Sequence, residues 1–258
     1  MPIDFRDPAN RRTYSDREAD PTWRDAAVAL VDPVGAHVVD IGCGGGTYVR
    51  AWHELGAVTV TGIDSSEPIL EAAQESNGRL PGVSFHRGDA TATGLDAGCA
   101  DVVFERALIH HVPDLGAVAA EAARILRPGG VLLIQDRTPE DVALPGSAAH
   151  LRGWLFDVFP RLLDVENARR STGSAVTAAL AAAGFGTITT TPLWEVRRRY
   201  ADRGEYLAEI ARRTGRSILH ELTDEELAQL VAELERRVPE GPLVEQDPWT
   251  IWRGRRQP

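Results

Sequence analysis

The chain has 258 residues, of which 43% are hydrophobic and 26% charged, a composition typical of a globular protein that can bury a core. Its formal net charge is −10 at pH 7. Because a surface that binds polynucleotides must neutralise phosphates, this acidic balance argues against a nucleic-acid partner. All 28 basic residues are Arg, which excludes mechanisms that use a Lys nucleophile or Schiff base.

Residues 1–20 are charged and polar where a secretory signal would need an apolar run. No segment reaches the length of about 18 apolar residues that spans a bilayer. We therefore expect a cytoplasmic protein without a membrane partner. Cys43 and Cys99 lie far apart and form no Cys-x-x-Cys motif, so they predict neither a disulfide framework nor a zinc site.

Short apolar segments alternate with helical patterns from His37 to Asp136, which predicts a parallel sheet covered by helices. The helical pattern at 65–78 begins with Ser residues and ends at a Gly, and the pattern at 114–130 runs from an Asp cap to a Pro-Gly-Gly stop. Five short, mostly β-branched segments are the predicted strands: 37–41, 57–64, 83–89, 101–106 and 130–136.

The pattern is less regular after the fifth predicted strand. Residues 137–170 mix Pro, Gly and aromatic residues with charges, which predicts an insertion above the sheet. An Ala-rich helix follows at 171–184, and residues 184–200 and 247–256 are predicted as the two strands of a final hairpin. We divide the chain into an N-terminal helical cover (1–36), a core (37–136) and a remainder in the same domain (137–258).

The segment between the last two strands is predicted to be helical. Its clearest helix begins at Thr223, where Glu226 completes a capping box ahead of an apolar stripe. The run Arg197–Arg199 is interpreted as a solvated strand end. Four residues of these later segments are candidate polar contacts for a substrate: Arg137, Arg152, Arg216 and His220.

A glycine-rich turn follows the first predicted strand, in the segment Val38–Gly46. Gly42 and Gly44 let a ligand approach the backbone at the carboxyl end of the strand, where open α/β sheets bind their ligands. The turn alone is compatible with a dinucleotide. However, Thr47 stands where the dinucleotide fingerprint has its third glycine, and the Asp40 carboxylate would repel a pyrophosphate while suiting a ligand with ammonium and sulfonium groups.

Two further carboxylates end predicted strands. Asp64, with Ser65 beside it, can accept hydrogen bonds from both hydroxyls of a ribose, although an Asp here can also cap the next helix. Asp89 is placed to accept a hydrogen bond from an adenine amino group and the Ala90 amide to donate to a ring nitrogen, the alternative for Asp89 being an ordinary turn residue. These residues are candidate nucleoside contacts.

The segments VVDIGCGGG, GIDSS, RGDAT, DVVFERALIHHV and LRPGG, in this order and spacing, resemble the class I S-adenosylmethionine (SAM)-dependent methyltransferase superfamily across residues 37–136. The resemblance implies SAM as the cofactor and an α/β fold. In that fold, a Rossmann-like, mostly parallel sheet of seven strands has helices on both faces. We expect a helical cap from the insertions after strand 5 and between strands 6 and 7.

The resemblance also implies roles for individual residues. The glycine turn would lie beneath the methionine moiety with Arg106 near it, Asp64 would bind the ribose, and Asp89 and Ala90 would lie at the adenine. In many members a residue of the N-terminal helix covers the cofactor, and Tyr14 is the candidate here.

Three residues are candidates for the chemistry on the acceptor side. His110 and His111 follow the fourth predicted strand and Asp136 ends the fifth, so all three fall on the ligand-binding edge. A His there can act as general base and a carboxylate can orient it, although one His of the pair can instead support the loop. Some natural-product O-methyltransferases of the superfamily have a similar His pair and Asp. No metal is predicted, because Asp136 has no acidic neighbour before Glu140.

The sequence thus predicts an enzyme, a SAM-dependent methyltransferase with a small-molecule acceptor, and favours O-methylation over N- or C-methylation. It is expected to be a monomer or a homodimer. Two alternatives remain: a SAM-binding enzyme that catalyses a rearrangement or elimination without methyl transfer, and a non-catalytic SAM-binding protein. A nicotinamide-dependent oxidoreductase is disfavoured by Thr47 and Asp40.

Overall fold

The computed structural model describes residues 18–258. The strands in chain order are β1 (His37–Ile41), β2 (Thr59–Asp64), β3 (Val83–Arg87), β4 (Ala100–Arg106), β5 (Leu126–Asp136), β6 (Phe185–Tyr200) and β7 (Leu243–Arg256). The helices are α1 (Pro21–Leu30), α2 (Thr47–Glu54), α3 (Glu67–Asn77), α4 (Leu115–Ile125), α5 (Pro139–Val142), α6 (Gly153–Val158), α7 (Arg161–Asn167), α8 (Gly173–Ala182), α9 (Arg203–Ala211) and α10 (Asp224–Arg237).

The strands form one seven-stranded sheet in the order β3-β2-β1-β4-β5-β7-β6. β1 to β5 are parallel and β7 runs antiparallel to β5. The chain proceeds outward from β1 through β2 to β3, then returns to the other side of β1 with β4, so the strand order reverses between β1 and β4. The predicted α/β fold with a mostly parallel sheet of seven strands is confirmed, and its ligand-binding edge is expected at this reversal.

Several predicted strand ends were wrong: β2 begins at Thr59 rather than at 57, and β7 begins at Leu243 rather than at 247. Two others have local reasons. β3 stops at Arg87 rather than at 89, because Asp89 turns the chain through hydrogen bonds to the Thr91 amide and hydroxyl at 2.8 and 2.6 Å. β5 begins at Leu126 rather than at 130, because Leu126 already pairs with Ala100 before an irregularity in the β4–β5 register.

Side chains of the central strands alternate between two apolar layers. Val39, Ile41 and Val103 belong to the first layer, which also contains residues of α4 and α8 and covers the first face of the sheet. Val38 and Phe104 belong to the second layer, which contains residues of α1 and α2 and covers the second face. Because of this alternation, residues at the carboxyl ends of the strands are also divided between the two faces of the sheet.

The chain divides into two compact units. The sheet unit comprises the described residues up to Asp136 together with Ser171–Leu193 and Thr250–Pro258. The insertion unit comprises Arg137–Arg170 and Trp194–Trp249. The insertion unit has its own apolar cluster of helical residues, among them Leu155, Tyr206 and Leu230.

The helical nature of the insertions is confirmed, and so is the capping box of α10, where Thr223 and Glu226 exchange hydrogen bonds at 3.2 and 2.9 Å. The interpretation of Arg197–Arg199 as a solvated strand end is wrong for Arg197. Its guanidinium binds Glu209 at 3.0 Å and Glu245 at 2.8 Å and is only 13% exposed. Glu209 and Glu245 are distant in sequence, so the charge run alone did not indicate this burial.

Candidate active site

The glycine turn between β1 and α2 combines positive φ angles with close packing. Gly42, Gly44 and Gly46 have φ values of 73°, 52° and 80°, a region that L-amino acids with side chains rarely adopt. A Cβ on Gly42 would lie 2.9 Å from Leu108, whereas a Cβ on Gly44 would meet nothing within 4 Å. The turn therefore packs on one side and leaves open space beside the backbone at Gly44.

Asp40 and Asp64 lie on the second face of the sheet beside this turn. Asp40 is 2% exposed, and its Oδ2 has no hydrogen-bond partner among residues 18–258. Burial raises the pKa of Asp40 well above its usual range, and the charge of Asp64 raises it further, against a smaller opposing effect of Arg106. A cation placed here would stabilise the Asp40 carboxylate.

Asp64 binds the glycine turn directly. Its Oδ2 accepts a hydrogen bond from the Gly44 amide at 3.0 Å, and its Oδ1 accepts one from the Ser66 amide at 2.9 Å. Burial raises the pKa of Asp64 despite these hydrogen bonds. Asp64 therefore holds the turn ahead of α3 but does not cap the helix, whose N-cap residue is Ser66. These contacts are compatible with a ribose contact because each oxygen has a further lone pair.

The remaining cofactor candidates occupy varied positions. Arg106 ends β4 on the same face as Asp40, with its guanidinium 4.6 Å from the centre of the Tyr48 ring. Ser65 and Asp89 are exposed, and Ala90 is buried. The hydrogen bonds from Thr91 lower the pKa of Asp89. Tyr14 lies outside the described residues.

His110 and Asp136 form a buried pair on the first face. The His110 Nδ1 lies 3.0 and 2.8 Å from the two Asp136 oxygens, and the His110 amide donates to Asp136 at 3.4 Å. The side chains of His110 and Asp136 are 9% and 1% exposed. The exposed His111 stacks obliquely on His110, with ring centres 4.0 Å apart. The structure thus brings the three acceptor-side candidates together.

Glu105 is a residue of this site that the sequence analysis missed. It is 0% exposed, and neither carboxylate oxygen has a hydrogen-bond partner within the part of the chain that the structure describes. Burial, and secondarily the charge of Asp136, raise the pKa of Glu105 to about 8. The alternation in β4 could have indicated this, because Glu105 has the same parity as the core residue Val103.

The arginines proposed as substrate contacts are engaged inside the insertion unit. Arg216 is fully buried and bonds to Glu209 and Glu245 at 2.7 and 2.5 Å. Arg137 binds Asp247 at 2.5 Å and Arg152 binds Glu166 at 2.9 Å. Each of these three arginines therefore forms an ion pair in place of the expected substrate contact. His220, the fourth candidate, is exposed in a short 3-10 helix.

Residues 18–258 contain neither a candidate metal site nor a candidate membrane-spanning helix. No group of three or more His, Cys, Asp or Glu side chains within 18–258 is arranged to hold a metal ion. Over the same range, no helix combines the length and the apolar character needed to cross a bilayer.

Comparison with known proteins gives the family. The family model described as a methyltransferase domain matches residues 39–134. Nocamycin O-methyltransferase of Saccharothrix syringae is 31% identical over 250 residues, which are 89% of this chain and 89% of that protein. A ubiquinone biosynthesis O-methyltransferase of Xanthomonas oryzae is 35% identical over 129 residues, 48% of this chain. The chain spans only 30% to 53% of the length of this and other curated relatives.

Solved structures show the same fold. A methyltransferase assigned to an antibiotic biosynthesis pathway of Anabaena variabilis superposes with a TM-score of 0.71 at 20% identity, covering 93% of this chain and 99% of that one. The cyclase SpnF superposes with a TM-score of 0.56 at 20% identity, covering 91% of this chain and 80% of that one.

The residues of the site suit SAM. A buried Asp40 oxygen without a partner among the described residues calls for a cationic ligand, and the cofactor carries both an ammonium and a sulfonium group. The open space at Gly44 admits a ligand against the backbone, and Asp64 lies at the end of the neighbouring strand. Because nocamycin O-methyltransferase is 31% identical to this chain over 89% of both proteins, the chain belongs to the class I SAM-dependent methyltransferase superfamily. Its cofactor is SAM.

Proposed function

We propose that this enzyme transfers the methyl group of SAM to a hydroxyl oxygen of a small-molecule acceptor, in preference to nitrogen or carbon. The observation that carries the proposal is the His110–Asp136 pair, with contacts of 2.8 and 3.0 Å at the carboxyl edge of the sheet. A hydroxyl group needs a base when it attacks, whereas a neutral amine already presents its lone pair. An oriented His therefore favours an oxygen acceptor.

On the cofactor side, the proposal assigns each candidate to one part of SAM. Asp64 and Ser65 bind the ribose, and Asp89 and Ala90 bind the adenine. Four residues bind the methionine moiety: Asp40, Gly42, Gly44 and Arg106. Tyr14 remains a candidate cover for the cofactor.

On the acceptor side, His110 is the proposed base. The bound cofactor supplies a methyl group on positively charged sulfur, which the acceptor displaces in line. With the Nδ1 proton of His110 directed to Asp136, Nε2 is the ring nitrogen that accepts the hydroxyl proton. The Asp136 carboxylate orients the ring and stabilises the imidazolium that forms. His111, which stacks on His110, is assigned to ring placement and acceptor contact.

The names of two relatives support an oxygen acceptor. One is a nocamycin and the other a ubiquinone biosynthesis O-methyltransferase, and the first aligns over 89% of this chain. The net charge of −10 supports a small-molecule acceptor rather than a nucleic acid. The acceptor class is inferred from these features together with the His110–Asp136 pair.

The test is a methyl-transfer assay with SAM and a panel of phenols, sugars, carboxylic acids and amines, with products identified by mass spectrometry. We expect methylated hydroxyl compounds. His110→Gln should lower kcat by about 10²–10⁴-fold, and His111→Gln by less than about 10-fold. The Kd for S-adenosylhomocysteine should be unchanged in both variants.

Three results would contradict the proposal. Methylation of amines alone would move the acceptor from oxygen to nitrogen. Equal losses in the two His variants would remove the distinction between His110 and His111. Tight SAM binding with no methyl transfer to any compound of the panel would favour a non-methylating SAM enzyme or a non-catalytic SAM-binding protein.

A further inference from the structure

Glu105 has an environment unlike that of a structural carboxylate. It pairs in register with Ile41 on β1 and with Ile134 on β5, so its side chain lies on the first face of the sheet. Ile41, Ile134 and Val103 all belong to the apolar layer of that face. Glu105 is therefore a carboxyl group set among aliphatic side chains, at the strand ends where the site lies.

No described residue compensates for this burial. Glu105 is 0% exposed and neither of its oxygens has a hydrogen-bond partner within residues 18–258. An ionised carboxylate in such a place costs far more than an uncharged acid, so the proton stays on the group. Burial and the Asp136 charge accordingly raise its pKa to about 8.

The charged groups near Glu105 divide between the two faces of the sheet. On its own face Asp136 follows Ile134 by two residues, and His110 and His111 lie with Asp136. The opposite face carries Asp40, Asp64 and Arg106, and none of these three is among the causes that shift the pKa of Glu105. Within residues 18–258, Asp136 is thus the charged group that shifts the pKa of Glu105, and Asp136 in turn binds His110.

We propose that Glu105 is a positioning residue for this pair: it remains an uncharged carboxylic acid beneath Asp136 and so leaves Asp136 as the single negative charge that orients the His110 ring. Glu105 and Asp136 together hold one proton, and that proton resides on Glu105. The inference rests on the proposed function, because orienting His110 matters only where His110 acts as a base. When Glu105 loses its proton to solvent, the added charge favours protonated His110 and reduces the supply of neutral base.

The first test is infrared difference spectroscopy of the whole protein between about pH 6 and about pH 10, on either side of the Glu105 pKa of about 8. We expect the carbonyl stretch of a protonated carboxylic acid at the lower pH, lost at the higher pH. The band should shift when the wild type is labelled with ¹³C-glutamate. It should be absent in Glu105→Gln and present in Glu121→Gln, a matched change at a buried carboxylate that Arg124 pairs at 2.7 Å.

This measurement needs no acceptor, so its result is independent of methyl transfer. A missing band in the wild type, or a band that glutamate labelling leaves in place, would overturn the inference whether or not the variant folds. The proposed function would then still stand on the effect of His110→Gln. Conversely, if the Glu105 band titrates but the enzyme transfers no methyl group, Glu105 is a protonated acid as proposed but has no role in catalysis.

The second test separates positioning from a structural role. The His110 ring, followed by NMR, should show an additional inflection in the wild type at the pH where Glu105 ionises. Glu105→Gln should give a single step and a higher, not lower, thermal midpoint at neutral pH, because the amide removes the cost of a buried ionisable acid. A single step in the His110 titration of the wild type, or a two-step titration that persists in Glu105→Gln, would contradict the coupling between Glu105 and His110.

Discussion

Four buried carboxyl groups, two in each unit, have pKa shifts of opposite sign. In the sheet unit, burial raises the pKa of Asp40 and of Glu105. In the insertion unit, Glu166 and Glu245 are equally inaccessible, yet neighbouring guanidinium groups outweigh burial and hold their pKa well below the usual range. The residue type and the burial are alike, so the difference lies in the partners.

The partners differ because the insertion unit supplies its own counter-charges. Glu166 binds Arg152, Arg169 and Arg170 at 2.9, 2.6 and 2.8 Å. No such cation meets Glu105 within the described residues, and only a weaker effect of Arg106 reaches Asp40. Carboxylates with built-in partners keep their charge inside the fold, whereas those without depend on a proton or a ligand, a feature of functional sites.

Removing a cation from the insertion unit should give the largest effect. Arg216→Met leaves Glu209 and Glu245 buried with one fewer partner, and we expect the free energy of unfolding to fall by about 3–5 kcal/mol. The loss is measured by urea titration followed by circular dichroism. The matched control is Arg236→Met, whose side chain is 67% exposed and pairs with Glu233 on the surface of α10.

The control should change stability by less than about 1 kcal/mol. If Arg216→Met were as mild as Arg236→Met, the carboxylates of the insertion unit would not depend on their arginines. The proposed difference between the insertion unit and the sheet unit would then be wrong for the insertion unit.

Removing a carboxylate from the sheet unit should instead affect ligand binding. Asp64→Ala deletes the oxygens proposed to accept the ribose hydroxyls, and we expect binding of S-adenosylhomocysteine to weaken by about 1–3 kcal/mol in calorimetry. Asp96→Ala, at an exposed Asp of the same unit, should leave the Kd unchanged. Equal affinity in wild type and Asp64→Ala would remove Asp64 from the cofactor site.

The same contrast between the two units explains which features of the fold and the site could be predicted from the sequence. The sheet and most cofactor candidates were predicted because their signals are local: a glycine turn after β1, and an Asp at the end of β2. The His110–Asp136 pair also followed, since carboxyl ends of neighbouring parallel strands share one edge. Fold rules place these residues without knowledge of any side-chain contact.

The arginines of the insertion unit could not be read in this way. Arg137 and Asp247 are 110 positions apart, and Arg216 and Glu245 are 29 apart. No local pattern gives such pairs, so an Arg that looked available for a substrate proved to be an internal counter-charge. Glu105 was missed although a local pattern was present. An acidic residue beside Arg106 suggests an exposed strand end, whereas the alternation of side chains along β4 buries it.

The smallest expected effect is a proton released when the cofactor binds. Because burial raises the pKa of free Asp40, a cationic ligand beside it should lower that pKa and expel a fraction of a proton. SAM should release more than S-adenosylhomocysteine, which lacks the sulfonium charge. The release is measured by calorimetry in buffers of different ionisation enthalpy at about pH 6.5, where Glu105, with its pKa of about 8, stays protonated. Asp40→Asn should abolish the buffer dependence, and a release that persists in this variant would assign the proton to another group.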